Sequence, residues 1–248
     1  MPETYQDLQR SIVQQLQAGP DAGNITPSII PIQNDYTSDS ARCLTSIVFL
    51  PEDLAAEIWQ AIIAPLAAIE PDHHYYEPAA MHVTIKNIRT VHDLPLFTPH
   101  EIERVDHLFQ AIIPRHRPFV FSLEDLVAFP TSCALIGYCD ERLQELAQAL
   151  DSGLRSIGVA DNKQYVSDTI FFGNVTVCRY RRSPSRRFLE AVDRLKHTYR
   201  RELPVTILHL IICNSVYAPE SRQIVSFYAM EEVEGNKSSG HNFFGSTR

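Results

Sequence analysis

Several things are missing from this chain, and each absence narrows the reading. No apolar run approaches the roughly 18–20 residues that a membrane span requires, so no membrane partner is expected. The opening Met1-Pro2-Glu3-Thr4-Tyr5-Gln6-Asp7 has neither the basic stretch nor the apolar core of a secretory signal, and a cytoplasmic location is expected. There is no Cys-x-x-Cys and no His-Glu-x-x-His, which leaves no metal motif and no metal or cofactor to expect. The five cysteines are odd in number, scattered, and mostly inside apolar runs. They read as buried free thiols rather than a disulfide framework, which a chain of 248 residues does not need. Positive charge is short overall: the net charge is −8. That excludes coating long nucleic-acid duplexes, which takes many phosphate contacts, but not the binding of one nucleotide or one RNA end. A local exception is Arg179, Arg181, Arg182, Arg186 and Arg187, either a solvated run or a collar that attracts phosphate.

What is present begins with an amphipathic helix over residues 3–17, its apolar positions at helical spacing. A polar, proline-containing arm is predicted from 21 to 40. A core strand follows at 42–50, then helices at 51–66 and 99–113 on either side of a strand at 81–88. His73, His74, Tyr75 and Tyr76 fall in a loop before that strand, where both histidines read as exposed. Strands are predicted at 119–126 and 134–138, a helix at 140–157, a strand at 169–180, a helix at 185–202, and strands at 205–213 and 223–230. The order is that of a two-lobed α+β protein. Three regions are expected: an N-terminal helix and arm at 1–40, a bilobal body at 41–230, and a polar tail at 231–248 in which Phe243-Phe244 can dock.

The chemistry concentrates in two similar strands, Met81-His82-Val83-Thr84-Ile85 and Gly173-Asn174-Val175-Thr176-Val177. Alternate residues of a strand share a face, so His82 joins Thr84 and Asn174 joins Thr176. Side by side, such strands aim four polar side chains into one cleft. Phosphodiester chemistry needs a base for the nucleophile, an acid for the leaving oxygen, and fixed donors for the phosphoryl oxygens. Imidazoles serve the first two roles near neutral pH, and threonine hydroxyls the third.

These residues resemble the two-histidine (2H) phosphoesterase superfamily, which includes RNA 2′-5′ ligase-like proteins and cyclic nucleotide phosphodiesterases and carries two His-x-Thr/Ser motifs on strands of two pseudo-symmetric lobes. Arg42–Pro51 looks like the family's opening strand and turn, and Met81–Lys86 like its first motif. Val127-Ala128-Phe129-Pro130 with Ala134–Gly137 looks like its central strand pair. Asn174–Arg179 looks like its second motif except at the histidine, and Ser215 also fits. The resemblance implies an α+β fold of two pseudo-symmetric antiparallel lobes with outer helices and a central cleft. It implies that His82 is a catalytic imidazole, in a pair whose acid and base roles exchange between substrates, and that Thr84 and Thr176 bind phosphate; general acid is our slight preference for His82. Asn174 stands at the second imidazole. Asparagine transfers no proton at a useful pH, although its amide still donates a hydrogen bond, and one general acid or base is worth roughly 10²–10⁴ in rate.

Other residues carry weaker expectations. Lys86 shares the face of His82 by alternation and is a phosphate candidate, as are Arg181 and Arg182. Alternation turns Arg179 away unless a bulge intervenes. Tyr75, Tyr76 and Phe129 can stack on a base, and His209, in an apolar strand, reads more readily as a core histidine than as a replacement base. Two functions compete. One is a metal-independent phosphodiesterase acting on 2′,3′-cyclic phosphates or 2′-5′ linkages of RNA or nucleotides, slowed by Asn174. The other is an inactive nucleotide-binding sensor or scaffold of the same fold. Either implies a nucleotide or an RNA end as partner.

Overall fold

The computed structural model describes residues 4–17, 39–130, 132–163 and 165–231. The arm expected over 21–40, all but its last two residues, and the tail beyond residue 231 lie outside them. The elements in chain order are α1 (Tyr5–Gln17), β1 (Arg42–Phe49), α2 (Glu52–Ile58), a π turn (Trp59–Ile63), α3 (Ala64–Ala67), β2 (His74–Tyr75), β3 (His82–His92), α4 (Pro99–Ile112), β4 (Phe119–Ala128), β5 (Ser132–Tyr138), α5 (Arg142–Ser156), β6 (Gly173–Arg179), α6 (Arg186–Leu195), β7 (Arg201–Val205), β8 (Ile207–Cys213) and β9 (Gln223–Ala229). No helix among the described residues is long and apolar enough to cross a membrane.

The helix expected over 51–66 forms with a wide turn in its middle. Pro65 has no N–H and crowds the carbonyl four residues back. The π turn absorbs this, and the Ala64 N–H reaches back to the Trp59 carbonyl. Thr98 caps α4 in a reciprocal box with Glu101.

The nine strands among the described residues form one antiparallel sheet in the order β7-β4-β5-β6-β3-β1-β8-β9, with β2 paired to β6 outside that path. The halves β7-β4-β5-β6 and β3-β1-β8-β9 meet along a short seam whose register pairs Val83 with Val175. Connectivity forces the sheet to curl. β7 is the outer strand of one half and β8 the next to last strand at the far end of the other, yet Thr206 is the single residue between them. A flat sheet cannot place consecutive strands at opposite ends, so its edges fold toward each other. The Met230 N–H to Thr206 carbonyl bond (2.8 Å) extends the β8–β9 ladder, and the Glu231 N–H to Pro114 carbonyl bond (3.3 Å) ties the end of β9 to the segment before β4, linking the two halves. This is an α+β fold with a curled antiparallel half-barrel and helices outside it.

Two expected elements are corrected. The helix predicted to run to Glu202 stops at Leu195, and Arg201–Val205 is a strand. Leu203 and Val205 are buried while Glu202 and Pro204 are exposed, a period of two that belongs to a strand. Pro204 is tolerated because β7 is an edge. The second motif strand begins at Gly173 rather than Thr169, and the described residues of 160–172 are irregular.

The core fills the space between the sheet and the outer helices with Phe109, Phe121, Phe188, Leu150 and Val175, among others, all fully buried. The five cysteines are free and buried. At the seam Gly173 leaves no room for a side chain: a Cβ there would lie 2.8 Å from Phe121 Cε1 and 2.9 Å from Val83 Cγ1. That close approach holds β6 against β3.

Candidate functional site

The seam between the halves builds the site. β3 and β6 run antiparallel with Val83 opposite Val175, so the same register sets His82 opposite Thr176 and Thr84 opposite Asn174. Val83 and Val175 point into the core, and the four flanking polar side chains emerge on the other face. They line one cavity of about 330 Å³. A local two-fold axis through the Val83–Val175 pair relates the two strands.

A bulge follows each motif and decides what comes next. Ser46 pairs with Lys86 and Ile47 with Thr84, which leaves Ile85 as an extra residue on β3. Cys133 pairs with Cys178 and Ala134 with Thr176, leaving Val177 extra on β6. An extra residue shifts the alternation by one. On β3 the bulge turns Lys86 out of the cleft and brings Asn87 in; on β6 it brings Arg179 in. Asn87 and Arg179 occupy equivalent positions about the local axis.

Lys86 is therefore not where alternation places it. Its ammonium ion is buried between Asp151 (3.0 Å) and Asp161, with its Nζ 4.8 Å from the centre of the Tyr165 ring. These carboxylates already neutralise it and hold the ion-paired form. Arg182 is likewise engaged, by Glu70 (3.3 Å) and Asp72 (3.4 Å). The Arg181 N–H donates to His73 Nδ1 (3.4 Å), and neither arginine lines the cavity. Of the basic run, Arg179 does, and its Nε is buried with no hydrogen-bond partner among the described residues.

The expected aromatics divide. Tyr76 is buried and lines the cavity. Tyr75 turns away, its hydroxyl donating to the Glu70 carbonyl (2.8 Å). Phe129 lines a second cavity of about 390 Å³ that shares Thr84, Asn87, Ser132, Lys163 and Asn174 with the first. The two form one continuous groove, polar at the seam and aromatic beyond it.

His82 is buried, 7% exposed. Its Nδ1 lies 2.8 Å from the Ala80 carbonyl, which can only accept, so the neutral ring is protonated at Nδ1 and Nε2 keeps its lone pair. Burial pushes its pKa down to about 4 against the opposing pull of that carbonyl, with the Arg222 charge adding to the depression. The resting imidazole at neutral pH is an acceptor. Tyr217 stacks on it, ring centres 4.0 Å apart and 29° from parallel. A turn at the end of β8 places Tyr217 there: the Asn214 side-chain oxygen accepts the N–H groups of Val216 (3.2 Å) and Ala218 (3.1 Å). Tyr217 takes a left-handed backbone conformation, φ 58°, uncommon for a bulky residue.

The other histidines stand apart from the cleft. His73 is buried rather than exposed, between Glu70 (3.2 Å) and the Arg181 N–H, and desolvation lowers its pKa despite Glu70. His74 is only part-buried; its pKa is pushed down to about 4 by desolvation and by Arg181 and Arg179. His209 lies against Phe49, ring centres 4.9 Å apart, and does not line the cavity.

Sequence reasoning overlooked Asn87, Ser132, Lys163 and Tyr217, all at the cavity. Strand alternation points Asn87 the wrong way, and nothing local ties the others to His82. Among the described residues no group of three His, Cys, Asp or Glu side chains is arranged to hold a metal ion.

No protein-family model and no curated protein sequence matches the chain, but solved structures share its fold. E. coli LigT complexed with 3′-AMP is 14% identical, with 77% of this chain and 99% of that one covered and a TM-score of 0.55. TT0787 of Thermus thermophilus is 15% identical, with 75% and 97% covered and a TM-score of 0.54. A structure described only as a phosphoesterase is 14% identical, with 77% and 99% covered and a TM-score of 0.54. This chain has the two-histidine phosphoesterase fold.

Proposed function

We propose that the chain binds the phosphate of a nucleotide or RNA end at the seam and hydrolyses 2′,3′-cyclic phosphates or 2′-5′ linkages slowly. One observation carries the reading: His82, Thr84, Asn174 and Thr176 face one another across the Val83–Val175 pair and line a single cavity. A phosphate between the strands receives the hydroxyls of Thr84 and Thr176 and the Asn174 amide. Arg179 supplies positive charge from the equivalent of the Asn87 position.

In this scheme His82 acts as the base. A water molecule gives its proton to Nε2 as its oxygen bonds to phosphorus, and the P–O2′ bond breaks. The Ala80 carbonyl steadies the imidazolium that forms. The departing oxygen must take a proton from solvent, because Asn174 can donate a hydrogen bond but not a proton. The slight sequence preference for His82 as acid yields to its low pKa and free Nε2. E. coli LigT has been solved with 3′-AMP and with ATP, which supports a nucleotide ligand here.

Asn174 also favours a second reading, in which the cleft binds a nucleotide without turnover. Hydrolysis of 2′,3′-cyclic nucleotides and 2′-5′ dinucleotides, measured beside ligand binding, separates the two. Slow turnover abolished by His82→Ala supports the enzyme; binding without turnover supports the receptor; neither binding nor turnover overturns both.

A further inference from the structure

The aromatic half of the groove is built from a segment with little regular structure of its own. Between Ala160 and Phe172 no described residue belongs to a helix or strand. The segment supplies Tyr165, Ile170, Phe171 and Phe172 to the 390 Å³ cavity, with Phe129 from beyond β4. Anchors exist at both ends. At the first, Arg89 donates to the Ala160 carbonyl (2.7 Å), the Thr90 N–H donates to Asn162 (2.9 Å), and Asp161 pairs with Lys86. At the second, helix α1 provides the anchor. Tyr5 Oη accepts the Phe171 N–H (2.8 Å), and Gln9 Nε2 donates to the Phe171 carbonyl (2.6 Å).

Gln9 does more than fill space. It is fully buried, and its side-chain oxygen accepts the Cys139 N–H (3.0 Å) just beyond β5. One amide thus ties the end of a rigid strand to the wall of the cavity. Arg10 holds the same helix to the sheet through Glu124 (2.7 Å) and Asp125 (3.3 Å). Both backbone groups of Phe171 are met by side chains of α1, doing the work a neighbouring strand would otherwise do.

We propose that α1, through Tyr5 and Gln9, sets the shape of this cavity and with it the fit of the base of the nucleotide that the proposed function places at the seam. The inference rests on the seam binding phosphate. Its ligand is a nucleoside phosphate whose phosphate lies between Thr84 and Thr176 and whose planar base lies among Phe129, Tyr165 and Phe172. Aromatic walls suit a base because every base presents a π face. Asn87, Ser132 and Asn174, shared by the two halves, offer hydrogen bonds to the sugar or the base edge. Tyr5 and Gln9 are positioning residues.

Isothermal titration of the full chain with inorganic phosphate and with a nucleoside 3′-monophosphate tests this. The nucleotide is expected to bind at least tenfold tighter than phosphate. Phe129→Ala should erase most of that ratio. Gln9→Ala should cut it at least fivefold with phosphate affinity held within twofold, and Tyr5→Phe, which removes a single hydroxyl, should cut it two- to threefold. A role in general stability would weaken both ligands together or neither, and either result overturns the part given to α1. A wild-type nucleotide affinity no greater than that for phosphate overturns the fit of the base and leaves the phosphate cleft standing. Failure of the wild type to bind phosphate or nucleotide overturns both. Should Gln9→Ala not fold, Tyr5→Phe decides alone.

Discussion

Asn174→His is the sharpest perturbation of the proposed site. The register places residue 174 opposite Thr84 and diagonal to His82. Diagonal positions of an antiparallel pair lie about 7–8 Å apart, enough for two imidazoles to flank one phosphate. Asn174 is only part-buried, so a histidine there keeps a pKa near its ordinary value of about 6.5. His82, held down to about 4, remains the base. The variant then has a base deprotonated above about pH 4 and an acid protonated below about 6.5. Restoring a general acid is worth roughly 10²–10⁴ in rate, and we expect a gain of at least about 10² at about pH 6. The protonated fraction of an imidazole with pKa about 6.5 falls roughly twentyfold between about pH 6 and 8, so the gain should shrink by that factor. The unmodified chain should instead rise through about pH 4 and stay level to about pH 8. Initial rates on a 2′,3′-cyclic nucleotide from about pH 3.5 to 8.5 give both profiles. A bell-shaped profile in the unmodified chain, or a variant no faster than it at about pH 6, would refute the assignment of residue 174 to the missing acid.

Other outcomes follow from the same geometry. Lys86→Met strands the buried Asp161 carboxylate, and denaturant unfolding should show a loss on the order of 3 kcal/mol; a loss of phosphate affinity without loss of stability would return Lys86 to the cleft. Acid should destabilise the chain through His82. Its folded pKa lies below the unfolded value of about 6.5, so the unfolded state binds the proton first, and stability present above about pH 6.5 is lost as pH falls toward 4. About 2–3 kcal/mol should disappear by about pH 4.5, and His82→Asn should flatten that slope; an unchanged slope would show that the burial of His82 contributes nothing. Gly173→Ala forces its Cβ onto Phe121 and Val83 and should cost about 1–3 kcal/mol, read as a lower melting temperature.

Much of the site is local in origin, and that part was legible in the chain. Alternation within a strand needs no tertiary information, so His82 with Thr84 and Asn174 with Thr176 followed from spacing alone. The α+β class followed from the switch between periods of two and about 3.6. Reading failed where neighbouring strands intervene. Lys86 and Asn87 exchange faces because β1 imposes a bulge at Ile85, and Arg179 enters the cleft because β5 imposes one at Val177. A bulge is a property of a pair of strands, and one strand's sequence does not encode it. Tyr217 stacks on His82 from well over a hundred residues away, through a turn that Asn214 closes.

By itself, then, the sequence determined which residues can do chemistry and which share a face, because backbone geometry fixes both within a few residues. It also determined the asymmetry of the two motifs, an imidazole in one and an amide in the other. Tertiary structure alone decided that the motifs meet at one seam, which of the nearby cations reach it, and that α1 braces the aromatic wall. Those outcomes depend on strand register and on hydrogen bonds between distant segments, such as Gln9 to Phe171, whose partners are chosen only when the curled sheet closes.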